Sequence, residues 1–328
     1  MNKLEEVKQY RDNPAFNYSL LSQVIQGEIK EFKGSLASLK GSIVDTLLTA
    51  PEIFNDIYFI SNVQRPTGAL AVIVTEFFEK IYKDVPIKLE EIKTILLEEI
   101  EIRSYGNNWK NDTIWKKVIE LESWWEFLNK KGQKEIITEI DHNYGLKLVN
   151  ILKNNKPGNM VINSNCKFQV PLYGLIDIDK EQIEIKGLLD IVDERENCVI
   201  ITDLKTTAFK DWDKVVEEKN YLIQVAMYYD LALLNYKKPV IFQWLVCQGY
   251  KVSLYKVAEI DIIRGREGRE EYLNVNIIDG KTIMKKKYYT GYKGAIKTYL
   301  DCKRLNLDHF DITHYYNQGI MPKKSIYE

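Results

Sequence analysis

Asp190, Asp203 and Lys205 stand where a buried sheet would have to carry charge. Cys198 to Thr202 is a β-branched run of the kind that forms a central strand covered on both faces. Asp203 and Lys205 follow it two apart, so their side chains leave on one face while Leu204 points to the other. Upstream, Ile183 to Val192 reads as the antiparallel partner strand, joined through the polar stretch Asp193 to Asn197. With the turn centred on Glu196 and Asn197, Asp190 falls opposite Asp203, and opposed residues share a face. Crowded carboxylates repel unless a cation joins them, and all-oxygen ligands suit Mg2+ or Mn2+. A lysine beside them can orient water or stabilise charge on a phosphoryl group, so the chemistry such a set supports is metal-assisted phosphodiester hydrolysis.

A helix expected over Tyr221 to Asn235 carries Gln224 and Tyr228 four apart, on one face that could lie over the strand ends and touch a phosphate. The succession GLLD (Gly187 to Asp190), ITDLKTT (Ile201 to Thr207) and QVAMY (Gln224 to Tyr228) resembles the core of the PD-(D/E)XK nuclease superfamily, in particular its RecB-like branch with a QxxxY helix. The resemblance implies that Asp190 is the first metal-binding aspartate, that Asp203 and Lys205 are the acidic and catalytic residues of the D/E-x-K element, and that Gln224 and Tyr228 are the helical pair. Asp190, Asp203, the Leu204 carbonyl and Asp45 are then the expected holders of one or two ions. A D-x-K triplet alone is a weak signal, because a solvated strand end also carries charge; the ordered set is more specific.

The segment YRDNPAFNYSLLSQVIQG (Tyr10 to Gly27), followed by LKGSIVDTLLTAPE (Leu39 to Glu52), resembles the start of RecE-type phage and prophage exonucleases, where an S-x-L helix precedes a G-x-x-x-H helix. The glycine is Gly41, and Asp45 occupies the histidine position. Aspartate ligates a hard cation at least as well, so this departure shifts metal preference rather than abolishing binding. The family often places a glutamate ahead of these strands; Gln169 is the nearest residue here, which removes a charge from the set.

The elements that must position these groups fall in three segments. Residues 1–155 read as mainly helical and contribute to the site, 156–260 as the α/β core with a mixed sheet flanked by helices, and 261–328 as a hairpin and a helix packed on that core. Asn17 or Ser19 can cap a first helix, and Leu36, Leu39, Ile43, Leu47 and Leu48 form a stripe over Ser35 to Thr49 that leaves Asp45 free to face a site. Gly41 inside that helix costs about 1 kcal/mol relative to alanine, which a close approach would explain. Further helices are expected over Ala69 to Lys83, Lys88 to Arg103, Asn111 to Lys130 and Lys134 to Leu152. Trp115, Trp124 and Trp125 read as core, with base stacking as the alternative. Asn154 to Asn163 reads as a hinge. Two antiparallel strands, a crossover helix and two more strands make an α/β sandwich. In the tail, Asp279-Gly280 marks a hairpin turn, and Lys285, Lys286, Lys287, Tyr289 and Lys293 form a basic and aromatic run that could hold DNA. A lysine-guarded edge strand is the bland alternative.

The chain of 328 residues is 45% apolar and 28% charged, with a net charge of −1, so nucleic-acid contact must come from local patches and ions rather than global charge. Its four cysteines are widely spaced, which excludes a zinc knuckle and an iron-sulfur cluster of the usual spacing and fits a reducing cytoplasm. No apolar stretch is long enough to span a membrane. The reading is a Mg2+- or Mn2+-dependent deoxyribonuclease, an exonuclease of recombination or repair acting on linear duplex DNA. A single-strand annealing protein and a homo-oligomer are partners that only the resemblance to RecE-type exonucleases suggests; no residue pattern here marks an interface for either. A structure-specific endonuclease and a catalytically impaired nuclease fold that binds DNA or protein are the alternatives.

Overall fold

The computed structural model describes residues 3–27, 36–64, 66–83, 85–162, 165–278 and 281–304, with the side chains at 36–37 and 271–287 outside that description. The chain forms two compact units, one of Met1–Ala50 with Leu146–Glu328 and one of Pro51–Gly145.

In the unit Pro51–Gly145, two short strands, β1 (Tyr58–Ile60) and β2 (Glu135–Ile137), pair in parallel. The helices Ala69–Ile81, Lys93–Ile102, Asn111–Ile119 and Glu122–Lys131 turn their apolar stripes into one core of Val74, Phe78, Leu96, Ile100 and Trp125. The single helix expected over Asn111 to Lys130 is thus two, parted at Glu120 and Leu121. The one expected from Lys134 begins only after β2, where the Asp141 amide donates to Thr138 Oγ1 at 3.1 Å and caps the helix Glu139–Asn154. Trp115, Trp124 and Trp125 are all buried, with Trp124 Nε1 donating to Thr75 Oγ1 and Trp125 Nε1 to the Ile87 carbonyl, so these rings are core and present no stacking surface.

The other unit is built on a sheet whose β-branched runs pair in the order β3-β4-β5-β6-β7. These strands are β3 (Cys166–Ile178), β4 (Glu181–Glu194), β5 (Val199–Thr207), β6 (Val240–Gln248) and β7 (Lys251–Lys256). All neighbours are antiparallel except β5 and β6, which run in parallel and are linked by the helices Trp212–Glu218 and Tyr221–Tyr236. Period-two alternation divides the sheet's side chains. Val199, Ile201, Phe242, Trp244 and Val246 face a core shared with the Tyr221–Tyr236 helix, whereas Leu204, Leu245 and Cys247 face one shared with Val44 and Leu48 of the helix Leu36–Thr49. This is the expected mixed sheet flanked by helices with a helical N-terminal half.

Two local features differ from the elements expected. The stretch read as a hinge holds a helix, Lys156–Val161, because Pro157 lies in its first turn, where the missing amide is no loss. A helix that none of the expected elements covers, Glu259–Glu267, follows β7. Its Gly265 lets it pack against the Leu222 carbonyl, and its Arg266 pairs with Asp230. The tail hairpin is β8 (Gly268–Ile278) with β9 (Lys281–Thr290), followed by the helix Tyr292–Arg304; the Asp279-Gly280 turn lies outside the described residues.

Candidate functional site

β4 and β5 are joined by a short ladder, Glu194 with Val199 up to Ile191 with Thr202. This register is the one implied by a turn centred on Glu196 and Asn197, and one step further it sets Asp190 against Asp203. There the strands part. Instead of continuing the ladder, the Leu204 amide donates to Asp190 Oδ2 at 2.8 Å, so a carboxylate takes the place of a backbone acceptor. Leu189 and Val192 both pack into one core cluster although they stand three positions apart, an odd spacing that strict alternation would send to opposite faces, so the alternation of β4 slips between them, at Asp190 or Ile191.

Asp203 is 1% exposed, and its Oδ2 lies 2.6 Å from Lys205 Nζ on the same side of β5. Burial lowers the affinity of the Lys205 amine for its proton, but Asp203, Tyr221 and Asp190 outweigh burial and leave the pKa raised, so it is an ammonium at any physiological pH. Its Nζ lies 4.8 Å from the centroid of the Tyr221 ring. Burial raises Asp203, with Lys205 opposing. Burial also raises Asp190 well above the usual carboxylate range, and Asp45 and Asp203 push it further in the same direction.

Asp45 reaches this group from the helix Leu36–Thr49. Burial lifts its pKa to about 6, Lys205 pulling it down and Asp203 pushing it up. Gln169 Nε2 donates to Asp45 Oδ2 at 2.9 Å and to Thr49 Oγ1 at 3.1 Å. Gln169 lies in β3 across from Asp190, with a left-handed φ of 49°, a conformation that costs about 1–3 kcal/mol for a non-glycine residue. A neutral amide thus stands where a glutamate would have added a fourth negative charge. Gly41 is the helix's point of close approach: a Cβ there would lie 3.3 Å from Thr206 Oγ1, so the neighbour it makes room for is a side chain of β5.

Gln224 and Tyr228 are buried on the Tyr221–Tyr236 helix, facing the sheet. Burial holds the Tyr228 phenol well above its usual pKa, with Tyr10, Asp203 and Asp190 adding to the shift and a Gln224 hydrogen bond opposing it. Gln224 Oε1 is buried without a partner. Tyr228 approaches so closely because β4 carries Gly187 beneath its ring. The GLLD glycine is therefore a contact position, which the sequence offered without a reason.

Sequence reasoning did not foresee how the N-terminal segment joins the sheet. Where β4 leaves β5, Phe16 takes up its edge, donating to the Glu184 carbonyl at 3.1 Å and accepting from the Lys186 amide at 2.8 Å. Lys186 is 2% exposed, and its ammonium donates to the carbonyls of Tyr10, Arg11 and Asn13. That cation closes the C-terminal end of the helix Lys3–Asp12. Lys3 donates to the Phe168 and Gln169 carbonyls at 3.1 and 2.8 Å. The Tyr10 hydroxyl takes a bond from the Leu188 amide and senses Asp190. Tyr18 stands 6.4 Å from Tyr221, ring to ring, beside Lys205.

Of the basic and aromatic run, Tyr289 lies under the Arg269 guanidinium at 4.1 Å and Lys293 pairs with Glu267 at 2.9 Å. The side chains of Lys285, Lys286 and Lys287 lie outside the described residues.

Among the described residues no three carboxylate, imidazole or thiolate groups form a ready-made cation site. Each carboxylate is turned to a protein donor instead: Asp203 to Lys205, Asp190 to the Leu204 amide, Asp45 to Gln169. The residues nevertheless fit a hard divalent ion. Three carboxylates that raise or share one another's proton affinity in a buried setting, beside the unpartnered Gln224 Oε1, are an excess of oxygen donors that a cation would neutralise.

No curated protein matches the chain. Among solved structures, a Eubacterium rectale protein provisionally named an exonuclease is 13% identical, with 80% of each chain covered and a TM-score of 0.45. Another, SSO0001, is 14% identical over 71% of this chain and 84% of its own, with a TM-score of 0.26. A family model described as the PD-(D/E)XK nuclease superfamily matches residues 76–258, more than half of the chain and the whole stretch from Asp190 to Tyr228. The chain belongs to the PD-(D/E)XK nuclease superfamily.

Proposed function

We propose that the protein is a Mg2+- or Mn2+-dependent deoxyribonuclease, an exonuclease acting from the ends of linear duplex DNA. The observation that carries this reading is the Lys205 ammonium held 2.6 Å from the buried Asp203, at the point where β4 delivers Asp190 to the Leu204 amide. Asp190, Asp203, the Leu204 carbonyl and Asp45 would hold the metal. When bound, it supplies neutralisation of the charge that builds on phosphoryl oxygens. Lys205, always protonated, orients the attacking water or meets the developing negative charge. Gln224 and Tyr228 set the scissile phosphate, the free Oε1 accepting a bond from substrate or water.

The RecB-like affiliation, and within it the RecE type, rests on the QxxxY helix, on the helix Tyr18–Ile25 and on the helix Leu36–Thr49 that brings Gly41 and Asp45 to the sheet. From it follow a role in phage-type recombination or repair inside the cell, an annealing protein as partner and a homo-oligomer as the working form. DNA contact by the β8-β9 hairpin and by Lys293 belongs to the same proposal. Among the described residues no helix is long and apolar enough to cross a membrane.

End-labelled linear duplex and closed circular duplex, each with Mg2+ and with EDTA, test the reading. Progressive shortening of the linear form alone, in Mg2+ alone, is expected. Cleavage of the circle makes the protein an endonuclease, and binding without cleavage of either form sinks the enzymatic reading.

A further inference from the structure

β5 rises from core to surface as it passes the site. Asp203 is buried, Lys205 to Thr207 are half-buried, and Ala208, Phe209 and Lys210 are exposed. Phe209 is 63% exposed and Tyr250 66%, both large rings left in water. The two belong to adjoining loops. Gln248, paired with Thr207 at the end of the parallel ladder, donates Nε2 to the Phe209 and Lys210 carbonyls at 3.0 and 3.3 Å, which ties the loop after β5 to the turn after β6 that carries Tyr250. Lys147 Nζ donates to the Tyr250 hydroxyl at 2.9 Å and lies 4.6 Å from the centroid of its ring, so a cation stands beside the aromatic face. Phe209 follows Lys205 by four residues, a reach of at most about 14 Å.

Exposed rings in the two loops that follow β5 and β6, one of them with a cation on its face, match one form of nucleic acid. Bases in a duplex hide their faces in the stack, whereas a single strand offers a π-face with every base and a phosphate with every sugar. We infer that Phe209, Tyr250 and Lys147 form a track for a single nucleic-acid strand, continuous with the Lys205 site, with bases against the two rings and a phosphate at Lys147. The track rests on the nuclease reading and deepens it: a duplex end must open before its strand reaches Lys205.

Fluorescence anisotropy on the full chain in EDTA tests the track without cleavage. The probes are a labelled single strand of about 16 nucleotides, the same length carrying abasic sites, and a blunt duplex. Phe209→Ala and Tyr250→Ala should each weaken single-strand binding by roughly 5- to 100-fold, with no loss on the abasic strand and none on the duplex. Lys147→Gln should lower the salt slope for the single strand by about 1. Unchanged single-strand affinity in the double ring variant overturns the track, as do equal losses on the abasic strand or on the duplex; an unchanged slope overturns the phosphate contact. A wild-type chain that binds the strand in this way yet cleaves nothing in Mg2+ would leave the track standing while the nuclease reading fails.

Discussion

The ring of Tyr228 lies over Gly187 so closely that a Cβ at that glycine would meet ring carbons Cδ1 and Cε1 at 2.8 Å, and Leu231 Cδ1 at 2.9 Å. Gly187→Ala must therefore push the Tyr221–Tyr236 helix off β4. Overpacking of this kind costs about 1–3 kcal/mol, and a displacement near 1 Å at a reacting centre costs about 100-fold in rate. Urea melts and cleavage rates should show both losses. In the Gly187→Ala/Tyr228→Ala double variant the stability losses should not add, since the second change removes the ring the first one strikes.

Lys205→Ala should lower cleavage of linear duplex by about 100- to 1,000-fold. It also leaves the Asp203 side chain, 2% exposed, without its counter-charge. An unpaired buried carboxylate opposes folding only while ionised. The variant should thus melt below the wild type at pH 8, with the gap narrowing at pH 5 as Asp203 takes up a proton. Retention of full cleavage would remove Lys205 from the chemistry.

Asp45 gives a titration of known sign. Its folded pKa is raised to about 6 from the ordinary 3.8 of an exposed aspartate, so the folded state holds the proton more tightly than the unfolded chain. Its stabilising contribution is complete below the unfolded value and lost as pH rises through about 6. Asp45→Asn, which keeps an acceptor for Gln169, should raise the melting temperature in EDTA at pH 8 by roughly 2–4 °C. The difference should vanish toward pH 4. A variant less stable than wild type at pH 8 would show that the charge is not repelled where it sits.

Lys186→Met should free the N-terminal segment. Three carbonyls lose their shared donor, and desolvated acceptors left unmade cost about 1–3 kcal/mol each at the upper end of such losses. Limited proteolysis should then cut between Tyr10 and Phe16 well before the sheet is attacked, and cleavage activity should fall with the loss of Tyr10 beside Asp190.

The sequence revealed what is local and periodic. The β4-β5 register follows from the length of one turn, and the pairing of Gln224 with Tyr228 from helical spacing. Hidden from it were features fixed by distant chain. Lys186 meets its carbonyls more than 170 positions away, and nothing in its neighbourhood distinguishes it from a solvated lysine. The left-handed backbone of Gln169 is invisible to a pattern that sees only an alternating strand. The helix Glu259–Glu267 lacks a clear apolar stripe, and its place is decided by Gly265 against the Leu222 carbonyl and by Arg266 on Asp230.

The union of β4 with β5 is only four residue pairs long before the two strands separate. Adding or deleting one residue between 191 and 194, or between 199 and 202, would turn one aspartate to the opposite side of the sheet. Extra length inserted between Arg195 and Cys198 would leave both in place. Tolerance to indels should therefore change abruptly within this hairpin, from permissive at its tip to forbidding a few ångströms below.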